Sequence, residues 1–418
     1  PLPRPGQLVG LVDVRSMYVS CERIFNPALR HRPVIVLSNN DGCAIARSDE
    51  AKALGIKTGD PWFQLKNRPD MSEVVAVSSN YELYGDISSR MMQILADHAA
   101  WVAPYSIDEA FIVVPEVDAT ATARAIQHDL AQCLGLPTTA GLGPTKTLAK
   151  IASTGAKDHR PFGGVCNLAE WTPGQVDAVL VRLGVEEVWG IGRKLSTRLR
   201  AAGITTAGDL KRADPAWLRR FHALPLAQTA IELSGTPVID IDDSPAPSQQ
   251  TMVFSRLMGT RARGADDVAA ALTTAAHPLA RRLRSKGVKA SVITAGVVTG
   301  HHDEITPRAM AVTGMMSPTS STRDIAAAAR SAVARIRDDV AYSRVEILAS
   351  GLIPDDGQLD IFADAGGDRA SLDAVLDALP TGSVTVGTSA LDQRWSARRQ
   401  MLSPQWSTRW ADLLTVHS

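Results

Sequence analysis

The sequence predicts a multidomain protein that begins with an α/β region, continues through a small helical region and ends in a compact α+β unit with a tail. Its length, 418 residues, is too great for one ordinary domain. Short apolar runs alternate with helix-like segments through roughly the first 165 residues, which is typical of a mixed region built on one sheet. A segment rich in Pro, Ser and Asp, 237–250, has the composition of a linker.

In the first region, strands are predicted where short apolar runs end in polar or turn-forming residues. The predicted strands are Leu8–Val12, Val34–Leu37, Val74–Val77 and Ile107–Val114. Composition and stop signals predict the helices Met17–Phe25, Ala44–Leu54 with Gly55 as its C-terminal cap, Tyr84–Ala100 and Ala119–Cys133.

No clear strand occurs from about Thr172 to Ser234, so this region is predicted to be helical. After the linker, strands and helices alternate again and predict an α+β unit. Its predicted elements are a strand at Met252–Phe254, a helix at Ala265–Lys286, a strand at Ala290–Val298, a helix at Arg323–Arg337 and a strand at Ser343–Leu348.

Charge is unevenly distributed in a chain whose formal net charge is zero. Between Pro245 and Ser350 there are 14 Lys and Arg against 8 Asp and Glu, which indicates either a solvated face or a surface that binds a polyanion. No apolar run approaches the roughly 20 residues of a membrane helix, and no signal-peptide core is visible. The four cysteines form no CxxC pair. We therefore expect a cytoplasmic protein without a membrane partner.

Three carboxylates stand at the ends of apolar strands. Asp13 follows one predicted strand, and Asp108 and Glu109 lie together at the start of another. Buried carboxylates need compensation, and no arginine lies near Asp108 and Glu109 in sequence. Divalent cations would supply it, because hard oxygen ligands suit Mg²⁺. Adjacent strand residues point to opposite faces, so a twist or bulge is needed to bring both to one site.

The motifs around these carboxylates resemble those of a known family. Asp13-Val-Arg-Ser-Met-Tyr-Val-Ser-Cys-Glu and Tyr105-Ser-Ile-Asp-Glu-Ala-Phe are similar to the first two motifs of Y-family DNA polymerases. The resemblance implies template-directed, error-prone DNA synthesis across damaged bases on primer–template DNA, with dNTPs as substrates. It further implies two Mg²⁺ ions, with Mn²⁺ as a possible substitute, held by Asp13, the Val14 carbonyl, Asp108 and Glu109.

By the same resemblance, Tyr18 is the steric gate, whose ring would lie under the deoxyribose and clash with a 2′-hydroxyl. Met17 would contact the nucleotide beside it. The sequence departs from the family's usual pattern at Arg15, where Asn is common in close relatives, at Met17, where an aromatic is common, and at Asp49, where many members have Tyr.

Further basic residues resemble the family's triphosphate contacts. Arg47 and Lys52 lie in Asp41-Gly-Cys-Ala-Ile-Ala-Arg-Ser-Asp-Glu-Ala-Lys, which is similar to the segment over the incoming nucleotide; for Arg47 a solvated helix face is the alternative. Gly141-Leu-Gly-Pro-Thr-Lys is predicted to be a turn whose free backbone N–H groups bind anions. Lys157, after it, would reach the β- and γ-phosphates, with Lys150 a weaker candidate.

DNA contacts are expected in two places. Val188-Trp-Gly-Ile-Gly-Arg-Lys is similar to a helix–hairpin–helix, in which Gly190, Gly192, Arg193 and Lys194 would meet a DNA phosphate. The basic unit after the linker would add contacts from the arginines that flank its first strand, namely Arg256, Arg261 and Arg263.

The tail resembles that of the UmuC type within this family. Four residues are similar to a peptide that docks on the sliding clamp by filling apolar pockets: Gln358, Leu359, Ile361 and Phe362. A buried strand is the alternative. The end, Met401-Leu-Ser-Pro-Gln-Trp-Ser-Thr-Arg-Trp, is similar to that of UmuC-type polymerases, which implies a cleaved UmuD-like dimer and a RecA filament as partners, nucleoid association and a role in the DNA-damage (SOS) response.

The implied fold is a right-hand polymerase, α/β with palm, fingers and helical thumb, plus an α+β little finger. The implied domains are palm 8–17 and 83–168, fingers 18–82, thumb 169–236, linker 237–250, little finger 251–350 and C-terminal tail 351–418. Two alternatives stay open. One is a DinB-type polymerase of the same family, and the other is a non-catalytic scaffold that links the clamp to repair proteins.

Overall fold

The structure is a computed structural model, and it describes residues 2–221, 223–241, 250–300, 307–355, 369–379, 395 and 397–413. The chain divides into two compact units. The first comprises Pro1–Leu37, Cys43–Ser244 and Met401–Ser418, and the second comprises Ser38–Gly42 and Pro245–Gln400. The predicted clamp-binding residues and most of the predicted linker lie outside the described residues.

The first unit is built on a five-stranded sheet with the order β5-β6-β1-β7-β8. Its strands are β1 (Gln7–Val14), β5 (Trp101–Pro104), β6 (Glu109–Pro115), β7 (Thr138–Gly143) and β8 (Val165–Asn167). A smaller sheet with the order β3-β2-β4 contains β2 (Val34–Leu37), β3 (Ala44–Arg47) and β4 (Val75–Ser78). The helices around both sheets are α1 (Met17–Phe25), α2 (Asp49–Ala53), α3 (Trp62–Leu65), α4 (Tyr81–His98), α5 (Ala119–Leu134) and α6 (Lys146–Asp158).

Strand β1 is the central strand and is buried on both faces. Leu8 and Val12 pack into the core that contains α1, α4 and α5, whereas Val9 and Leu11 pack on the opposite face, with Ala149 of α6. This two-sided burial explains why the run reads as continuously apolar and not as alternating. Because Asp13 has the same parity as Val9 and Leu11, its side chain lies on the face that α6 covers.

The predicted helix Ala44–Leu54 is wrong in its first half. Residues Ala44–Arg47 form β3, antiparallel to β2, and the helix begins only after Ser48, whose Oγ accepts a hydrogen bond from the Ala51 N–H. Sheet pairing therefore prevailed over the helical composition of the segment. Gly55 does follow the helix end, at φ 79°, as predicted.

The prediction of a helical region after the α/β region is confirmed. Among the described residues its α-helices are α7 (Pro173–Leu180), α8 (Arg193–Ala201), α9 (Ala207–Arg212), α10 (Pro215–Phe221) and α11 (Leu224–Leu233). They share a core with α6 that contains buried leucines such as Leu180, Leu199 and Leu210.

The second unit has a four-stranded antiparallel sheet with the order β11-β10-β12-β9. Its elements are β9 (Thr251–Ala262), α12 (Gly264–Ser285), β10 (Val288–Val298), β11 (Arg308–Thr319), α13 (Thr322–Arg330), β12 (Tyr342–Pro354) and α14 (Arg369–Ala378). Two of these elements were not predicted from the sequence. One is β11, an edge strand without a strong apolar alternation, and the other is α14. Arg284 of α12 pairs with Asp377 of α14 at 2.7 Å, so this arginine has a structural partner.

Within the parts of the chain that the structure describes, no helix combines the length and the apolar character needed to span a bilayer.

Candidate active site

The strand pairing brings two of the three predicted carboxylates together. Asp13 and Glu109 are register partners across the β1–β6 pair, so both side chains lie on one face of the sheet. Their carboxyl groups hydrogen-bond to each other. Asp13 is buried, with only 5% of its surface exposed.

Two lysines of α6 approach this pair. Lys157 Nζ lies 2.7 Å from Asp13 Oδ2, and Lys150 Nζ lies 2.7 Å from Glu109 Oε2. Because the two lysines are seven residues apart, they lie on one face of the helix. Both lysines are predicted from the sequence to be phosphate contacts, and their role as partners of the carboxylates is not predicted. Their seven-residue spacing is the one feature of the sequence that indicates it.

The electrostatics of the pair differ between its members. Burial and the neighbouring Glu109 raise the pKa of Asp13 to about 7, against the opposing effect of Lys157. Burial alone would raise the pKa of Glu109, but the hydrogen bond with Asp13 and the charges of Lys150 and Lys157 bring it below its ordinary value. The two carboxyl groups therefore titrate as a coupled pair, with the pKa of Asp13 raised and that of Glu109 lowered.

Asp108 lies just before β6 and is held differently. Its Oδ1 accepts a hydrogen bond from Ser106 Oγ at 2.6 Å, and its carbonyl accepts one from the Val14 N–H at 2.9 Å. Ser106 also accepts from the Glu109 N–H at 3.0 Å, so one hydroxyl fixes the turn that carries both acids. No role for Ser106 is predicted from the sequence.

In the described residues, no three acidic, histidine or cysteine side chains converge into a ready-made metal site. The donor chemistry nevertheless suits a hard divalent cation. The carboxylates of Asp13 and Glu109 are adjacent, the pKa of Asp13 is raised, and Asp108 immediately precedes Glu109 in the chain. In this arrangement the ammonium groups of Lys150 and Lys157 supply the positive charge beside Asp13 and Glu109.

A cleft of about 350 Å³ lies beside Asp108. It is lined by most of the predicted nucleotide contacts and by their neighbours: Ser16, Met17, Tyr18, Ile45, Ala46, Arg47, Lys52, Thr58 and Asp108. Tyr18 is half-buried, and its ring stacks on that of Tyr84 at a centroid distance of 4.7 Å. Tyr18 lies on α1, as predicted, but the sequence does not predict that its ring stacks on Tyr84.

Arg47 and Lys52 occupy different kinds of element, contrary to the prediction that both lie on one helix. Arg47 ends β3, and its Nη1 donates to the Ile56 carbonyl at 2.7 Å, so the solvated-helix alternative is wrong. Lys52 lies on α2, where its Nζ is 2.8 Å from Asp49 Oδ1. Arg15 Nη2 approaches the other oxygen of Asp49 at 3.3 Å.

The predicted anion-binding turn at Gly141 is wrong. Gly141 lies inside β7, where an added Cβ would be 2.0 Å from the Ser153 N atom of α6. The glycine therefore permits close helix–strand packing. The first turn of α6 already has partners, since Thr145 caps it and the Glu232 carboxylate accepts from the Thr147 N–H at 2.9 Å.

The predicted DNA contacts lie on the surface of their own units. Gly190 has φ 85°, which favours glycine, and Gly192 is the N-cap of α8 without a side-chain cap. Arg193 and Lys194 are exposed at the start of that helix. The first arm of the predicted helix–hairpin–helix is only a 3₁₀ turn, Val185–Glu187. In the second unit, the arginines Arg256, Arg261 and Arg263 are exposed.

Three family models match the chain. The impB/mucB/samB family matches residues 12–154, its C-terminal domain matches 249–361, and a domain of unknown function (DUF4113) matches 370–416.

Full-length relatives include Protein SamB of Salmonella typhimurium, which is 38% identical over 97% of this chain and 99% of its own length. Protein UmuC of Salmonella typhimurium strain LT2 is 38% identical over 98% of this chain and 100% of its own length. DNA polymerase IV 1 of Bacillus subtilis is 34% identical over 52% of each chain.

Among solved structures, a Y-family DNA polymerase chimera, Dbh-Dpo4(243-245)-Dbh, has a TM-score of 0.62 at 20% identity and covers 83% of this chain and 99% of its own. The Dbh insertion ternary complex has a TM-score of 0.53 with the same identity and coverage. These likenesses confirm the predicted polymerase fold class. Together with the full-length relatives, they establish that the chain belongs to the impB/mucB/samB family, the UmuC type of Y-family DNA polymerases.

Proposed function

We propose that this chain catalyses error-prone, template-directed DNA synthesis across damaged bases. Two observations together carry the proposal. Asp13 and Glu109 are paired on adjacent strands, and Asp108 lines the same cleft as Tyr18 and Lys52. A cleft of about 350 Å³ is in the size range of small-ligand sites.

The metal ligands we propose are Asp13, the Val14 carbonyl, Asp108 and Glu109, holding two Mg²⁺ ions that Mn²⁺ could replace. When bound, these ions would activate the primer 3′-hydroxyl and neutralise the departing pyrophosphate. Asp13 must release its proton, and Lys157 must separate from it, before its carboxylate serves as a ligand.

The residues of the cleft then orient the nucleotide. The ring of Tyr18, which stacks on the ring of Tyr84, would contact the sugar of the nucleotide. Met17 lines the cleft beside Tyr18. Lys52 and Arg47 supply positive charge on the cleft wall for the triphosphate. Lys157, once free of Asp13, adds a third cation for the β- and γ-phosphates.

The domains we propose are palm (8–17 and 83–168), fingers (18–82) and thumb (169–236), which belong to the first unit apart from Ser38–Gly42, and the little finger (251–350), which belongs to the second unit. Gly190, Gly192, Arg193 and Lys194 are exposed, as are Arg256 and Arg261 in β9 and Arg263 just after it. Their exposure supports backbone contacts with DNA, whose strength should fall with salt. The sliding clamp, a UmuD-like dimer and a RecA filament are proposed partners at the nucleoid, on the basis of the resemblance in the tail.

The proposal is tested by primer extension with Mg²⁺ on an undamaged template and on a matched template carrying one abasic site. The purified chain is assayed alone, with a cleaved UmuD-like dimer and with that dimer plus a RecA filament. We expect insertion opposite the lesion in at least the complete mixture. Extension on neither template under any condition would overturn the proposal and would favour the non-catalytic scaffold.

A further inference from the structure

The C-terminal segment, residues 401–413, returns to the first unit and packs at the edge of its smaller sheet. Leu402 forms a parallel bridge with Ser78, at the end of the edge strand β4. The Ser78 N–H donates to the Met401 carbonyl at 2.9 Å, and the Met401 N–H donates to Ser78 Oγ at 3.0 Å. This segment lies within the match to the domain of unknown function.

The segment also supplies a partner to a buried acid on α1. Glu22 is fully buried, and its Oε1 accepts hydrogen bonds from Ser403 Oγ at 2.9 Å and from the Tyr84 hydroxyl at 2.7 Å. Its other oxygen, Oε2, is buried without a hydrogen-bond partner among the described residues. Since an unsatisfied buried carboxyl is costly, the Ser403 hydroxyl makes a substantial contribution to holding this acid.

Asn80 fixes the position of Ser403. Its Nδ2 donates to Ser403 Oγ at 2.9 Å, to the Ser403 carbonyl at 3.2 Å and to the Pro404 carbonyl at 3.2 Å. Its Oδ1 accepts from the Leu83 N–H and caps α4, the helix that carries Tyr84. The segment is thereby tied to α1 and to α4.

A second contact anchors the far end of α1. The indole of Trp406 stacks on the ring of Phe25, the last residue of that helix, at 5.2 Å between centroids and 13° between planes. The Gln405 N–H donates to Asp412 Oδ2 at 2.9 Å, which closes the segment on itself around Trp406. Trp410, by contrast, is 89% exposed.

These contacts lead to the nucleotide cleft. Tyr84, whose hydroxyl is held by Glu22, stacks on Tyr18 with the rings 15° apart, and Tyr18 lines the cleft. A continuous series of contacts therefore runs from Ser403 through Glu22 and Tyr84 to the ring at the cleft.

We propose that the C-terminal segment positions the sugar-discriminating ring: Ser403 and Trp406 hold α1, and through Glu22 and Tyr84 they fix Tyr18. This inference rests on the proposed function, in which Tyr18 excludes ribonucleotides. Ser403 and Trp406 are positioning residues and contact neither substrate nor metal. The segment thus gives this part of the domain of unknown function a role in substrate selection.

The test compares Ser403→Ala and Trp406→Ala with wild type, in the full-length chain. Ser403→Thr retains the hydroxyl and is the conservative variant, and Trp410→Ala is the control for loss of an indole from the same segment. The readouts are the ratio of kcat/KM for dCTP to that for CTP opposite template G, and amide hydrogen exchange in residues 17–25 without DNA. Tyr18→Ala marks complete loss of the gate.

We expect Ser403→Ala to lower the dCTP/CTP ratio by about three- to tenfold, the effect of one buried hydrogen bond, while kcat/KM for dCTP changes much less. Exchange in 17–25 should become faster in Ser403→Ala and Trp406→Ala and stay unchanged in Ser403→Thr and Trp410→Ala. If Trp406→Ala does not fold, Ser403→Ala alone decides.

An unchanged ratio in Ser403→Ala would overturn the inference even if exchange becomes faster. If wild type incorporates neither nucleotide, the proposed function fails and the role in sugar selection falls with it. Exchange in 17–25 then reports separately whether the segment supports α1, and unchanged exchange would overturn that part too.

Discussion

Arg15 Nη2 lies 3.3 Å from Asp49 Oδ2, so two positions at which this chain departs from the usual family pattern form an ion pair. Asp49 also accepts from Lys52 Nζ at 2.8 Å, which places one carboxylate between two cations at the cleft. The lysine lowers the pKa of Asp49 below its ordinary value, as does Arg15 to a smaller extent. The two departures therefore compensate each other electrostatically.

Removing the Asp49 carboxylate should strengthen nucleotide binding. Asp49→Ala leaves Lys52 and Arg15 without their shared counter-ion, and the positive charge then acts on the triphosphate. We expect KM for dNTP to fall about two- to fivefold at low salt, a small effect because the pair is exposed, with the difference shrinking as salt is raised. Arg15→Asn, which retains the Asp49–Lys52 pair, is the control. A higher KM in Asp49→Ala would contradict this account.

Metal affinity should depend on pH through Asp13. The pKa of this carboxyl without metal is raised to about 7 by burial and by Glu109, and only the ionised form is a ligand. Apparent Mn²⁺ affinity, measured by electron paramagnetic resonance, should therefore fall as pH drops from 8 through about 7 to 6, with proton release on binding. Affinity that does not change over this range would argue against Asp13 as a ligand that must lose a proton.

Lys157 should contribute directly to nucleotide binding. Its Nζ is 2.7 Å from Asp13 Oδ2, and we expect it to move to the phosphates when metal binds. Lys157→Gln should raise KM for dNTP by about tenfold or more, the effect of a charge-assisted hydrogen bond. Lys66→Gln, an exposed lysine outside the cleft, is the matched control. Equal KM values in the two variants would remove Lys157 from the nucleotide site.

Gly141 should tolerate no side chain. An added Cβ would lie 2.0 Å from Ser153 N and 2.4 Å from the Ala149 carbonyl, both backbone atoms of α6. Gly141→Ala should therefore lower the free energy of unfolding by about 3 kcal/mol or more, on the scale of overpacked cores. Gly174→Ala, in α7 with open space around it, should raise stability by about 0.5 kcal/mol or more. Urea denaturation measures both, and a Gly141→Ala protein as stable as wild type would contradict the packing.

Much of the fold was predictable because local patterns and tertiary structure agree. The apolar run that ends at Asp13 is buried on both sheet faces, and Met17–Phe25 is helical as predicted. Prediction failed where pairing with a distant strand decides the outcome. Ala44–Arg47 is a strand because it pairs with β2, and Gly141 is in a strand because β7 pairs with β1 and β8. The local sequence of each segment does not show which strands it pairs with.

The residues proposed for the site come from motif resemblance, whereas most of their contacts could not be predicted from the sequence. Motif resemblance identified Asp13, Asp108 and Glu109, and strand register brings Asp13 and Glu109 together. The lysine partners lie on α6, where only their seven-residue spacing marks them, and the Ser106 hydroxyl lies in a turn, where no periodic pattern marks it. The support of Tyr18 depends on contacts that span more than 300 residues of sequence, such as that between Glu22 and Ser403.

Single-nucleotide primer extension with Mg²⁺ by wild type, Asp108→Ala and Glu116→Gln tests the central claim most directly. Glu116 is an exposed carboxylate just beyond the far end of β6, so its variant controls for loss of charge. We predict robust extension by wild type and Glu116→Gln and a loss of about 1000-fold or more in Asp108→Ala, with an unchanged melting temperature. Equal extension by wild type and Asp108→Ala would contradict the proposed active site.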